Sequence, residues 1–135
     1  MAKVVPLGTR GEVVAQVELR HTLQHHLEWL PPVLSTPNMI GWMEMACFEA
    51  AAAFCDEGEI TVGTAINVLH RAPTGVGSKV VAEAVLERIE GKFHIFRVTA
   101  RDETQQIGEG TVSRAFVNVD RFLQKPGMPT AKRGT

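Results

Sequence analysis

From residue 38 to 55 the chain runs through Met, Ile, Trp, Ala, Cys and Phe with only two charges, Glu44 and Glu49. This stretch predicts one long helix. Ser35 or Thr36 offers a hydroxyl to cap its start, Pro37 suits the first turn, and Gly58 stands just past the end. Apolar side chains fall on every face, so the helix must be buried nearly all round. A single sheet wrapped around it leaves part of it bare.

The rest of the chain reads as strands. Val13, Ala15, Val17 and Leu19 alternate with Glu12, Gln16, Glu18 and Arg20, a period of two that predicts a half-buried strand, broken on its polar side only by Val14. Residues 21–32, with two prolines and no clean period, predict a loop or short helix able to act as a lid. After the helix come four more strands, over residues 61–71, 79–90, 93–102 and 107–120. Their short connections predict antiparallel neighbours and hence a meander, because a parallel pair needs a crossover of about a dozen residues. The expected class is α+β, an antiparallel sheet curled around one long helix with the early strand at an edge. Open sheet edges and a partly bare helix are both resolved by a second copy, so a homodimer is expected.

A chain of 135 residues has room for one domain. It is placed at residues 1–125; residues 126–135, polar, basic and broken by Pro and Gly, are expected to form a disordered tail. With 14 basic against 15 acidic residues, no global field draws the protein to nucleic acid or to anionic lipid. No apolar run reaches the roughly 20 residues of a membrane span, and residues 1–14 lack the pattern of a signal peptide. A cytoplasmic protein without membrane contact is expected. Cys47 and Cys55 stand about 12 Å apart along a helix, beyond the roughly 7 Å that a disulfide tolerates, and are expected to be free, inert thiols. His21, His25 and His26 lack a suitably spaced fourth ligand, and no dinucleotide or phosphate-loop motif occurs, so neither a metal nor a cofactor is expected.

Three polar residues interrupt sequence otherwise fit for a core. Glu44 lies among Trp42, Met43, Met45 and Ala46. An ionised carboxylate there needs a partner, and both a catalytic and a structural role are open. Glu49 is about 140° further round the helix and faces elsewhere. His70 closes the strand TVGTAINVLH; in a regular strand it shares an apolar, helix-facing side with Val62, Thr64, Ile66 and Val68. It reads either as a core histidine or as a base oriented by Glu44. Thr36 reads as an N-cap, or as a hydroxyl placed where helix N–H groups also stabilise an oxyanion. About 12 Å of helix rise separates Thr36 from Glu44, so the two cannot touch through helical periodicity. His70, the substrate, a fold-back of the preceding chain or a second subunit must link them.

The segments LPPVLSTPNMIGWMEMAC, EGEITVGTAINVLHRAPT and RDETQQIGEGTVSRAFVN resemble the fluoroacetyl-CoA thioesterase branch of the hotdog-fold acyl-CoA thioesterases. The likeness runs from about residue 11 to 125. It implies a helix wrapped by an antiparallel sheet and completed by dimerisation, an acyl-CoA substrate, and a catalytic Thr, Glu and His at Thr36, Glu44 and His70. It also implies a backbone donor at Gly63 and a supporting arginine at Arg114. Where the fluoroacetyl-specific enzyme carries phenylalanines over the acyl pocket, this chain has Leu27 and Leu30. That departure implies another short or medium acyl group. A dehydratase acting on an acyl thioester, and a dimer that only binds acyl-CoA, are the alternative readings.

Overall fold

The apolar run is helical where the sequence places it. In the computed structural model, which describes residues 3–129, helix α1 spans Thr36–Ala51, and a 3-10 turn over Ala52–Phe54 continues it. Ser35, not Thr36, is the cap: its hydroxyl accepts from the Asn38 amide at 3.3 Å and from the Asn38 side chain at 2.6 Å. Thr36 is thereby the first helical residue, with its hydroxyl released from capping. Met39, Met43, Ala46, Cys47, Ala50 and Ala51 are buried, the larger of them contributing about 1.5–3 kcal/mol each. Gly41, Met45 and Glu49 point the other way and are exposed, which is the bare face expected of a helix covered by one sheet.

Five antiparallel strands form that sheet: β1 (Arg10–Gln16), β2 (Glu59–His70), β3 (Lys79–Glu90), β4 (Phe93–Arg101) and β5 (Gln106–Asn118). Their order is β1-β3-β4-β5-β2, and a short helix α2 (Val119–Phe122) follows β5. The helix lies closest to β1, where Gly11 permits it. A Cβ on Gly11 would stand 2.1 Å from the Ala46 carbonyl oxygen.

Two expectations are corrected here. First, β2 is not the neighbour of β3; it pairs with β5 at the far edge, and only β3, β4 and β5 form a meander. The link over residues 71–78 is short but no hairpin turn. It crosses the end of the sheet as a strap, with the Leu34 amide donating to the Thr74 carbonyl, the Gly77 amide to the Val17 carbonyl and the Val17 amide to the Ser78 carbonyl, each at 2.8 Å. Second, β1 ends at Gln16, and Leu19 sits in a 3-10 turn, 52% exposed, outside the buried row of Val17.

Both cysteines are free thiols. Burial pushes the Cys47 thiol up to about 12, so it carries no thiolate at neutral pH. Residues 126–129 of the expected tail are exposed, the first two within a turn; residues 130–135 lie outside the described residues. Among the described residues, no helix is long and apolar enough to cross a membrane, and no group of three His, Cys, Asp or Glu could hold a metal ion.

Two buried histidines tie the fold to pH. His94, on β4, is 3% exposed, meets the Phe116 ring edge-on at 5.0 Å, and neither ring nitrogen has a hydrogen-bond partner among the described residues. Burial lowers its pKa below 6.5; the Lys92 backbone opposes this only in part, and the Lys3 charge adds to the lowering. His21 is also lowered, by burial first and by Arg20 second, and its Nδ1 accepts from the Glu18 amide at 2.9 Å, which requires the neutral ring. A base whose folded pKa is depressed contributes stability that is complete above its unfolded pKa and is lost as pH falls toward the folded value. The histidine contribution to thermal stability should therefore be steady near pH 7.5 and decline below pH 6.5, and His94→Leu should narrow the difference between pH 7.5 and pH 5.

Candidate active site

The start of α1 and the end of β2 bring two of the flagged side chains into contact. Thr36 Oγ1 lies 2.7 Å from His70 Nδ1. Ser35 takes the capping role, which frees the Thr36 hydroxyl, and the fixed entry of Pro37 into the first turn holds it at the helix end. Both residues line a cleft of about 280 Å3 whose apolar walls come from Leu23, Val33, Leu34, Ala72 and Pro73, with Arg71 at its side. The strap over residues 71–78 therefore forms one wall of the cleft. The remaining nitrogen of the imidazole, His70 Nε2, is buried and has no hydrogen-bond partner among the described residues.

Glu44 belongs to a second cluster further along the helix. Its Oε2 accepts from Arg114 Nη1 at 2.8 Å, with the arginine side chain 7% exposed and the glutamate 31%. The arginine is held from behind by Thr61, whose carbonyl accepts from Nη2 at 2.8 Å and whose hydroxyl accepts from Nη2 at 3.1 Å and from Nε at 3.3 Å. Within this chain Glu44 is thus the partner of Arg114, and no hydrogen bond joins it to His70.

Strand β2 sets this arrangement through a bulge. Gly63 pairs with Arg114 and Ala65 with Ser113, so Thr64 is the extra residue. The alternation slips by one there. Gly63, Ile66, Val68 and His70 share the helix-facing side, whereas a regular strand would have put Val62 and Thr64 there. Thr64 instead donates its hydroxyl to Ser113 Oγ on the other side, at 2.8 Å. The glycine at 63 leaves room for the carboxylate: a Cβ would stand 2.7 Å from Glu44 Oε2 and 3.4 Å from Arg114 Nη1, so the carboxylate would have to shift.

Of the residues singled out in the sequence, the structure joins Thr36 to His70 and Glu44 to Arg114 and Gly63 as two groups. Leu27 is 48% exposed and Leu30 half-buried, on the loop before the helix, and neither is among the residues lining the cleft. Thr61 was not flagged. Its neighbour Arg114 carried the available signal, a single cation in the strand run TVSRAF that has to find partners if buried. Leu23, Val33 and the strap residues were also missed, because their approach to His70 depends on the crossing of the 71–78 link.

Comparison with known proteins agrees with the fold. Residues 13–120 match the family model described as fluoroacetyl-CoA-specific thioesterase. The fluoroacetyl-CoA thioesterase of Streptantibioticus cattleyicolor is 41% identical over 95 residues, covering 70% of this chain and 68% of that protein. A solved structure of a fluoroacetyl-CoA thioesterase superposes with a TM-score of 0.83 at 34% identity, over 88% of this chain and 93% of that one. A mutant form of such an enzyme, in complex with fluoroacetate and CoA, gives 0.79 at 35% identity, over 87% and 99%. A hot-dog-like protein from Thermanaerovibrio acidaminovorans gives 0.79 at 25% identity, over 87% of each chain. The curled five-stranded sheet around one helix is accordingly a hotdog fold, and the chain belongs to the fluoroacetyl-CoA-specific thioesterase family.

Proposed function

We propose that this member of the thioesterase family hydrolyses a short or medium acyl-CoA to the free acid and CoA, using Thr36, His70 and Glu44. The observation that carries the reading is the 2.7 Å contact between Thr36 Oγ1 and His70 Nδ1 on the wall of an apolar cleft. With the hydroxyl donating, the imidazole is in the tautomer that can take a proton from Thr36 or from a water beside it, and can return one to the departing thiol. The thioester C–S bond breaks, a C–O bond forms, and water supplies both the oxygen and the proton of the thiol. Attack by water and attack by Thr36 through an acyl-enzyme are both compatible with this geometry. At the start of α1 Pro37 has no N–H and the amides of Asn38 and Met39 bond to Ser35, which leaves the Thr36 amide, with that of Gly63, as candidate donors to the oxyanion.

Glu44 enters from a second subunit in this reading. It lies about 12 Å along the helix from Thr36, is engaged by Arg114, and leaves the buried His70 Nε2 without an acceptor among the described residues. The exposed residues 63–67 of edge strand β2, together with the bare face of α1, are the surface a second copy would cover. This reading requires that pairing there bring the partner subunit's Glu44 toward the Thr36–His70 pair. If the site is shared, co-refolding inactive His70→Ala and Glu44→Ala subunits in equal amounts restores about a quarter of wild-type activity: half the dimers are mixed and each carries one intact site. No recovery would place the whole site within one chain.

At the positions that the family resemblance sets over the acyl group, Leu27 and Leu30 replace phenylalanine, which favours a larger acyl chain and removes a basis for sensing fluorine. Following thiol release across a panel of acyl-CoAs tests the function. Stoichiometric thiol and free acid support hydrolysis; an enoyl thioester would mean a dehydratase, and retention of acyl-CoA without thiol release would mean a binding protein.

A further inference from the structure

We propose that Thr61 is a positioning residue for this reaction, fixing Glu44 through Arg114. The proposal rests on the hydrolytic reading above but concerns a residue outside the Thr, Glu and His set.

Arg114 is 6% exposed and Thr61 3% exposed, so water is a poor substitute for either one's contacts. A guanidinium has five N–H donors in one rigid plane, and here its two edges face different groups. Nη1 meets Glu44 Oε2 at 2.8 Å, while Nε and Nη2 converge on the Thr61 hydroxyl at 3.3 and 3.1 Å. Because the plane is rigid, the atom that anchors the Nε edge also aims Nη1. Thr61 stands two residues before Gly63 on the same side of β2, ahead of the bulge, so one short stretch supplies both the anchor and the space for the carboxylate. The Thr61 carbonyl also accepts from Nη2 at 2.8 Å, and any residue would supply that oxygen. Only the hydroxyl depends on the side chain, and a β-branched threonine holds it in few rotamers. Without it, the arginine keeps its charge and its carbonyl contact but loses the constraint on its plane. Glu44 then moves with it.

The test compares Thr61→Val, which keeps the shape and removes the acceptor, with Thr61→Ser, which keeps the acceptor. On whichever acyl-CoA the wild-type protein turns over, Thr61→Val should lower kcat about tenfold to a hundredfold with KM changed less than about twofold, and Thr61→Ser should stay near wild type. In parallel, the Arg114 Nε–H signal in NMR should be protected from solvent exchange in wild type and in Thr61→Ser, and lose protection in Thr61→Val. Wild-type kcat in Thr61→Val, or equal losses in the Val and Ser variants, overturns the proposal while leaving the hydrolytic reading in place. If the wild-type protein releases thiol from no acyl-CoA, the hydrolytic reading fails by itself. The NMR comparison then decides whether Thr61 orders Arg114, and retained protection in Thr61→Val overturns the proposal.

Discussion

His70→Ala is expected to reduce acyl-CoA turnover by about 10²–10⁴-fold, the usual contribution of a positioned acid–base group. Its signature is that stability does not fall with activity. His70 is half-buried at the end of an edge strand, its Nδ1 contact is to an exposed threonine, and its Nε2 has no partner among the described residues. Truncation therefore removes one hydrogen bond and one unsatisfied polar atom together, two effects of similar size and opposite sign. Steady-state thiol release measured beside a thermal melt checks both halves. A variant that melts like wild type and also turns over like wild type would remove His70 from the mechanism.

Glu44→Ala should behave differently. It too is expected to lower turnover by at least about a hundredfold if the carboxylate acts on His70 or on the attacking group. It also strands the Arg114 guanidinium, 7% exposed, without its counter-charge. Breaking a fully buried pair costs about 3–5 kcal/mol. Glu44 is 31% exposed, so water reaches part of the site and about 2–3 kcal/mol is the better expectation. For a domain of this size that is roughly a 10 °C fall in melting temperature. Glu44→Gln keeps a hydrogen-bond acceptor and the packing, and should recover most of the stability while remaining slow. A Gln variant as active as wild type would mean that the charge of Glu44 has no part in the chemistry.

The parts of this molecule legible in the sequence are those set by local pattern. The boundaries of β3 come directly from its alternation and from the Gly91 turn, and α1 follows from its composition and its Ser-Thr-Pro start. What was not legible depends on contacts distant in the chain. The 71–78 link has the length of a turn, and only its hydrogen bonds to Val17 and Leu34, from two other parts of the chain, make it a strap that carries β2 to the far edge. The bulge at Thr64 leaves no mark in Val-Gly-Thr-Ala, yet it decides which residues share a side with His70. At the site, residue types and positions pointed to Thr36, Glu44 and His70, whereas their separation into a Thr36–His70 pair and a Glu44–Arg114 pair required the coordinates. Arg114 and Gly63 came from family resemblance alone. Their contact across the β2–β5 register, 51 positions apart in sequence (114 − 63), has no local signature.

The most direct test of the site is a structure of the protein with a non-hydrolysable acyl-CoA analogue. The expected result is the thioester carbonyl in the cleft beside Thr36 and His70, its carbon about 3–3.5 Å from Thr36 Oγ1 or from a water held by His70. A carbonyl bound away from both residues, with the cleft empty, would contradict it.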